Sequence, residues 1–192
     1  MAAILNACRH PEVRNLFEFA FWTGLRTSEL IALRWCHINF VTEEVSVEEV
    51  ITRASKGKVE PPKSKCGIRL VTLRKPALDA LKRQKQHSFL QGEYVFLNPT
   101  TRERFSGDDS IREDHWKPTL KKAGVRYRKP YMTRHTFASM MLMSGETPLW
   151  VQRQMGHETL EMIYKHYAKW IPTEDRGEGK RAVEMFHTPA EK

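Results

Sequence analysis

Val45-Ser-Val-Glu-Glu-Val-Ile-Thr52 and Ile68-Arg-Leu-Val-Thr-Leu73 are the two stretches whose reading decides the fold. The first is rich in Val and Ile. The second alternates apolar and polar side chains, the period of a strand with one buried face. Between them runs Arg53 to Gly67, a loop carrying Lys56, Lys58, Lys63 and Lys65. Together they predict an antiparallel hairpin with a long basic tip, and Tyr94-Val-Phe-Leu97 is the candidate third strand.

Outward from the hairpin, the sequence reads as helix. Val13, Leu16, Phe17, Ala20 and Phe21 recur at helical spacing behind Pro11, and Thr23-Gly24 ends that run. A second helix is predicted from Thr27 to Trp35. Pro76 to Gln86 carries Leu78 and Leu81, Asp109 to Lys122 is interrupted by Pro118, and Thr133 to Ser144 stops at Gly145. Thr147-Pro148 is an N-cap followed by proline in the first turn, and that helix stops at Gly156. Leu160, Ile163, Tyr164 and Tyr167 share one helical stripe. The predicted class is α+β, mainly helical, with helices around a small three-stranded antiparallel sheet.

The chain's 192 residues fit one domain with a terminal appendage, and 40% hydrophobic residues supply a core. Lys and Arg number 32 against 23 Asp and Glu, a formal charge of +9, which points to a polyanionic partner. Cys8, Cys36 and Cys66 are scattered and odd in number, which argues against a disulfide framework and for a cytoplasmic setting. No apolar run approaches the roughly 20 residues of a membrane span. Met1-Ala-Ala-Ile-Leu5 has no basic leader, so it is not read as a signal peptide; it resembles a cut made just before a helix in a longer protein.

Four short stretches could carry chemistry. In Thr23-Gly-Leu-Arg26-Thr-Ser-Glu29-Leu30, Arg26 stands at a helix start, where the helix dipole disfavours a cation unless an anion lies in front of it. Glu29, three residues on, can orient it. In Tyr131-Met-Thr-Arg134-His135-Thr-Phe-Ala138, Arg134 is again at a helix start. His157, in Met155-Gly-His157, sits between two helices, and Tyr164 and Tyr167 follow. Taken singly, these are a surface ion pair, a helix with one polar end, a structural histidine and core aromatics. Their order is specific. Thr-Gly-Leu-Arg-x-x-Glu-Leu, a hairpin lysine, Arg-His-Thr-Phe-Ala, Gly-His and a tyrosine about ten residues later resembles the tyrosine recombinase (phage integrase) family from about Pro11 to Pro172, closest to integrases of prophages and integrative elements.

The resemblance implies a catalytic domain over 1–172 and a C-terminal tail over 173–192 that is exchanged between protomers. Arg26 and Arg134 match the two arginines that clamp the scissile phosphate. Lys63 matches the hairpin lysine, with Lys65 the alternative. His157 matches the His or Trp of the Gly-His motif. Tyr167, in His166-Tyr-Ala-Lys-Trp170, matches the nucleophile, with Tyr164 one turn earlier as its competitor. The family usually has histidine three residues before the second arginine, and here that residue is Tyr131. A phenol, with a reference pKa near 10, is a poor base at neutral pH, though it can donate or accept a hydrogen bond. The general base is thereby left open, and adjacent His135 is expected to face elsewhere on its helix.

The implied reaction is site-specific DNA recombination. Tyr167 attacks a phosphorus of double-stranded DNA, displaces a 5′-hydroxyl and leaves a 3′-phosphotyrosyl bond that a second 5′-hydroxyl can reverse. Two guanidiniums stay charged and can hold the added transition-state charge bidentately, so the implied chemistry needs no cofactor and no metal. His157-Glu158-x-x-Glu161 lacks the second histidine of a zinc motif. The resemblance also implies a homotetramer on paired DNA sites, an additional N-terminal DNA-clamping domain, accessory DNA-bending proteins, and a location at the nucleoid. Arg112, Lys117, Lys121 and Lys122 are candidates for phosphate contacts. The alternatives are a non-catalytic DNA-binding remnant of a prophage integrase, which Tyr131 favours, and a metal-dependent nuclease, against which the missing acidic cluster argues.

Overall fold

The computed structural model describes residues 1–172. The predicted tail, 173–192, lies outside the described residues. The elements are α1 (Ala2–Ala7), α2 (Pro11–Thr23), α3 (Thr27–Ala32), β1 (Ile38–Asn39), β2 (Glu44–Val47), β3 (Arg69–Thr72), α4 (Lys75–Ser88), α5 (Asp108–Ser110), α6 (Lys117–Lys122), α7 (Met132–Met143), α8 (Pro148–Met155) and α9 (Leu160–Tyr167). The expected class holds: helices surround a three-stranded antiparallel sheet in the order β1-β2-β3.

The sheet differs from expectation in one strand. β2 and β3 pair as predicted, with Val45 opposite Val71 and Val47 opposite Arg69. The third strand is Ile38–Asn39, which pairs with Val45 and Glu44, and not Tyr94–Leu97. Val95 and Phe96 are both buried, so the segment packs on two sides. It joins the Arg34–Trp35 backbone instead, where Val95 N–H donates to Leu33 O and Trp35 N–H to Glu93 O. Strand pairing in β2 stops at Val47; beyond it Val50 bridges only Glu60.

The helices follow their local signals. Thr147 Oγ1 accepts from Trp150 N–H at the start of α8, and Gly156, at φ +62°, ends it. Between α5 and α6 the chain winds as a π-helix over Ile111–Trp116. Pro118 comes one residue after it; it lacks an N–H and its ring crowds the carbonyl four residues back, so the wider turn accommodates it without a break.

Two apolar clusters form the core. The larger joins α1 to α4, the sheet and α6, and includes Phe19, Ile31, Val45, Val71, Leu81 and Phe96. The smaller joins α7, α8 and α9 through Phe137, Met141, Val151, Met155, Ile163 and Tyr167. Trp22 packs against both. The candidate residues gather at the seam between them.

Candidate active site

α2 delivers its chain into the seam. Gly24 caps it in the left-handed region, and a Cβ there would lie 2.5 Å from the Phe137 ring, so only glycine lets α7 approach this closely. Arg26 is the N-cap of α3; its backbone N–H donates to Glu29 Oε2 at 2.8 Å and its Nη1 to Oε1 at 2.8 Å. Glu29 is 2% exposed and also receives Arg69 from β3, Nη1 on Oε1 at 3.0 Å and Nη2 on Oε2 at 3.1 Å. Burial alone would raise the Glu29 pKa, but the charge and hydrogen bonds of Arg69, with Arg26 behind them, hold it below the usual carboxylate value.

Arg69 also ties the hairpin to α8. Its Nε donates to Gln154 O at 2.8 Å and its Nη1 to Gly67 O at 3.0 Å. Gly156 admits this contact, since a Cβ there would lie 2.7 Å from Cys66 O and 2.9 Å from Arg69 Cδ.

Arg134 spans the seam. Its Nη1 donates to Gly24 O, at the end of α2, at 2.7 Å, and its Nη2 to Met155 O, at the end of α8. Cations at carbonyl ends are favourably placed. The side chain is 0% exposed and its buried Nε has no partner. Burial, reinforced by Arg26, pulls its pKa down to about 10, so it stays charged at neutral pH. Arg26 and Arg69 pair with the one buried carboxylate of Glu29, while Arg134 feels its charge but bonds two backbone carbonyls, so three positive charges stand near one negative and an anion would match the excess.

His157 follows Gly156 and is 8% exposed. Burial first, then Arg134 and Arg26, lower its pKa to about 4, so the ring is neutral near pH 7 and can donate one hydrogen bond; its Nδ1 has no partner. Lys63 is exposed and lines a cleft of about 310 Å³ together with Arg26, Ser28 and Gly67. Lys65 does not line it; it opens the short 3₁₀ turn Lys65–Gly67. Tyr131, half-exposed at the start of α7, lines a second cleft of about 300 Å³ with Arg26, Arg53, Arg112 and Lys129.

The two tyrosines of α9 separate cleanly. Tyr164 is 52% exposed, whereas Tyr167 is 3% exposed and points its hydroxyl at α7. There it meets His135 Nδ1 at 2.6 Å. The expectation that His135 faces elsewhere is therefore overturned. Tyr131 and His135 are four residues apart, so they share a helical face, their rings meet edge-on at 5.2 Å, and α9 docks Tyr167 onto that face. Burial raises the Tyr167 pKa to about 12. Burial and the charges of Arg134 and His166 lower that of His135.

The model of the phage integrase family matches residues 1–172. The chain belongs to the phage integrase family. Prophage integrase IntR of Escherichia coli strain K12 is 36% identical over 179 residues, covering 82% of this chain and 43% of that protein. The chain thus spans less than half the length of that relative. Among solved structures, the Tn1549 transposon integrase in complex with circular intermediate DNA has the same fold at a TM-score of 0.75 and 18% identity, covering 96% of this chain and 64% of the other. The catalytic domain of bacteriophage HP1 integrase matches at a TM-score of 0.61 and 22% identity, covering 99% of this chain and 94% of that one.

Within this integrase-family chain, Arg26, Arg134 and His157 converge on one seam, Lys63 and Tyr131 line the two clefts beside Arg26, and Tyr167 reaches the seam through His135. Sequence reasoning passed over Arg69 and turned His135 away from the site. Arg69 stood in the quoted hairpin stretch, but nothing local showed that a strand residue reaches Glu29 and α8.

Proposed function

We propose that the chain is the catalytic domain of a site-specific tyrosine recombinase that cuts and rejoins double-stranded DNA through a Tyr167 phosphotyrosine. The observation that carries this is the inward Tyr167 hydroxyl, bonded to the histidine beside Arg134, in a seam with uncompensated positive charge. A phosphodiester is an anion that would match that charge.

In this scheme the scissile phosphate enters beside Arg26, whose guanidinium is partly exposed. Arg134 is covered, so its direct contact with a phosphate oxygen requires the cover to open on binding. The two guanidiniums hold the nonbridging oxygens as negative charge builds, which typically contributes about 3 kcal/mol per donor. Neutral His157 donates to a nonbridging oxygen. Lys63 gives a proton to the departing 5′-oxygen, and Tyr131 holds the phosphate or nucleophile by its hydroxyl. The Tyr167 oxygen bonds to phosphorus as the P–O5′ bond breaks, and rejoining is the reverse. Residues 1–172 make the catalytic unit, tail 173–192 is exchanged between protomers, and the working assembly is a tetramer on paired sites.

The test is a suicide duplex, nicked so that cleavage cannot reverse, carrying the element's crossover site. A covalent adduct that survives denaturation, forms in chelator, and is lost in Tyr167→Phe but kept in Tyr164→Phe is the expected result. Loss in Tyr164→Phe alone would move the nucleophile by one turn. No adduct despite specific DNA binding would leave a non-catalytic DNA-binding module.

A further inference from the structure

We propose that His135 is the catalytic base of this site, taking the phenol proton of Tyr167 as its oxygen attacks phosphorus. The inference rests on the recombinase function proposed above and supplies the base that Tyr131, standing where the family usually has histidine, leaves open. His135 Nδ1 lies 2.6 Å from the Tyr167 oxygen, within reach of a direct transfer. For the phenol to donate, Nδ1 carries no hydrogen, so the ring is the Nε2–H tautomer.

Three features make the pair work as acid and base. Tyr167 is buried, with a pKa raised to about 12, so almost none is ionised beforehand and the proton must leave during attack. His135 faces Arg134 and Tyr131 from its own helix, and Tyr167 and His166 from α9. Burial first, then the Arg134 charge and the His166 ring, disfavour the imidazolium, so the ring is neutral near pH 7 and its Nδ1 lone pair is free to accept. Tyr131 packs edge-on against the same ring, its centroid 5.2 Å away, which restricts the imidazole's rotation. A phosphodiester brought beside this pair would offset the Arg134 charge and make the imidazolium easier to form as the transition state is reached.

The step balances. The Tyr167 O–P bond forms, the P–O5′ bond breaks, the phenol proton moves to His135 Nδ1, and a Lys63 proton goes to the 5′-oxygen. In rejoining, the neutral Lys63 amine takes the proton of the attacking 5′-hydroxyl, the O5′–P bond forms, the Tyr167 O–P bond breaks, and the His135 imidazolium returns its proton to the departing phenolate.

Single-turnover cleavage of the suicide duplex is measured against pH for wild type, His135→Asn and Tyr131→Phe. Asparagine can keep a hydrogen bond near the Nδ1 position but cannot take a proton. His135→Asn should cleave about 100-fold more slowly, the lower end of the usual worth of a positioned base. Its DNA affinity should be unchanged. The wild-type rate should fall on acidification with a midpoint below 6.5, the ordinary imidazole value, and this limb should vanish in His135→Asn, whose rate should climb with hydroxide. Tyr131→Phe should keep the limb. His135→Ala supplemented with imidazole gives an independent check, with recovery of at least tenfold expected. His135→Asn within threefold of wild type, or with the acid limb intact, sinks the assignment while wild-type adduct formation leaves the recombinase function standing. Absence of any wild-type adduct sinks both.

Discussion

Burial lowers the pKa of three histidines, two of them in the site. They are His115, His135 and His157, the last lowered to about 4 from 6.5. On acidification the unfolded chain therefore binds protons that the folded one refuses. Stability from this source is full above about pH 6.5 and falls as pH drops toward the folded values. Glu29 adds to the loss at lower pH: its folded pKa is depressed, so its contribution is present above 4.5 and disappears as pH falls through the folded value. Urea denaturation at pH 7 and pH 4.5 should show His157→Gln closing the gap by about 2 kcal/mol after allowance for screening. An unchanged pH slope in that variant would mean that the ring protonates freely in the folded state. Glu29→Gln should cost about 3–5 kcal/mol at pH 7, because it leaves Arg69 buried without its carboxylate. Arg26, Arg134 and His157 were legible from their flanking motifs. His135 was not, because a helical period gives the face a residue occupies and not which distant helix will dock on it.

At the scale of elements, the turns that place these side chains are ordered by contact as much as by backbone angle. Gly124 and Gly156 both have left-handed φ, +65° and +62°, yet a Cβ at Gly124 meets nothing within 4 Å and one at Gly156 meets Cys66 O and Arg69. Gly124→Ala should thus cost only the backbone strain, about 1 kcal/mol. Gly156→Ala should cost at least about 2 kcal/mol more, since carbonyl and side chain must shift. It should also slow the proposed cleavage by shifting His157, the next residue in the chain. Equal losses on thermal melting would show that the hairpin does not press on α8. The caps of α8 were readable in Thr147-Pro148 and Gly156 because capping is local. The third strand was not: Ile38–Asn39 is too short to display a period, whereas Tyr94–Leu97 has the composition of a strand but makes only isolated bridges, Tyr94 to Arg34 and Leu97 to Arg104.

Across the whole molecule, the formal charge of +9 would serve the proposed DNA partner only where cations are not already matched. The cleft beside Arg26 shows the distinction. Arg112 lines it but bonds Asp109 and Glu113, while Lys129 lines the same cleft with no ion pair among the described residues. Lys63 lines the neighbouring cleft and is likewise unmatched there. A phosphate that meets Lys129 or Lys63 releases its counterion in full, whereas one that meets Arg112 must compete with two carboxylates. Lys129→Ala and Lys63→Ala should each weaken binding alike on specific and random duplexes and reduce the slope of log K against log salt by about 0.9, the contribution of one phosphate contact. Arg112→Ala should change the slope by less than half as much. Fluorescence anisotropy between 50 and 200 mM salt, about the range over which such contacts are decided, reads both quantities. A larger effect at Arg112 than at Lys129 would mean that the Asp109 and Glu113 pairs open on binding. Those carboxylates would then be part of the DNA-binding equilibrium, and Asp109→Asn should tighten the complex.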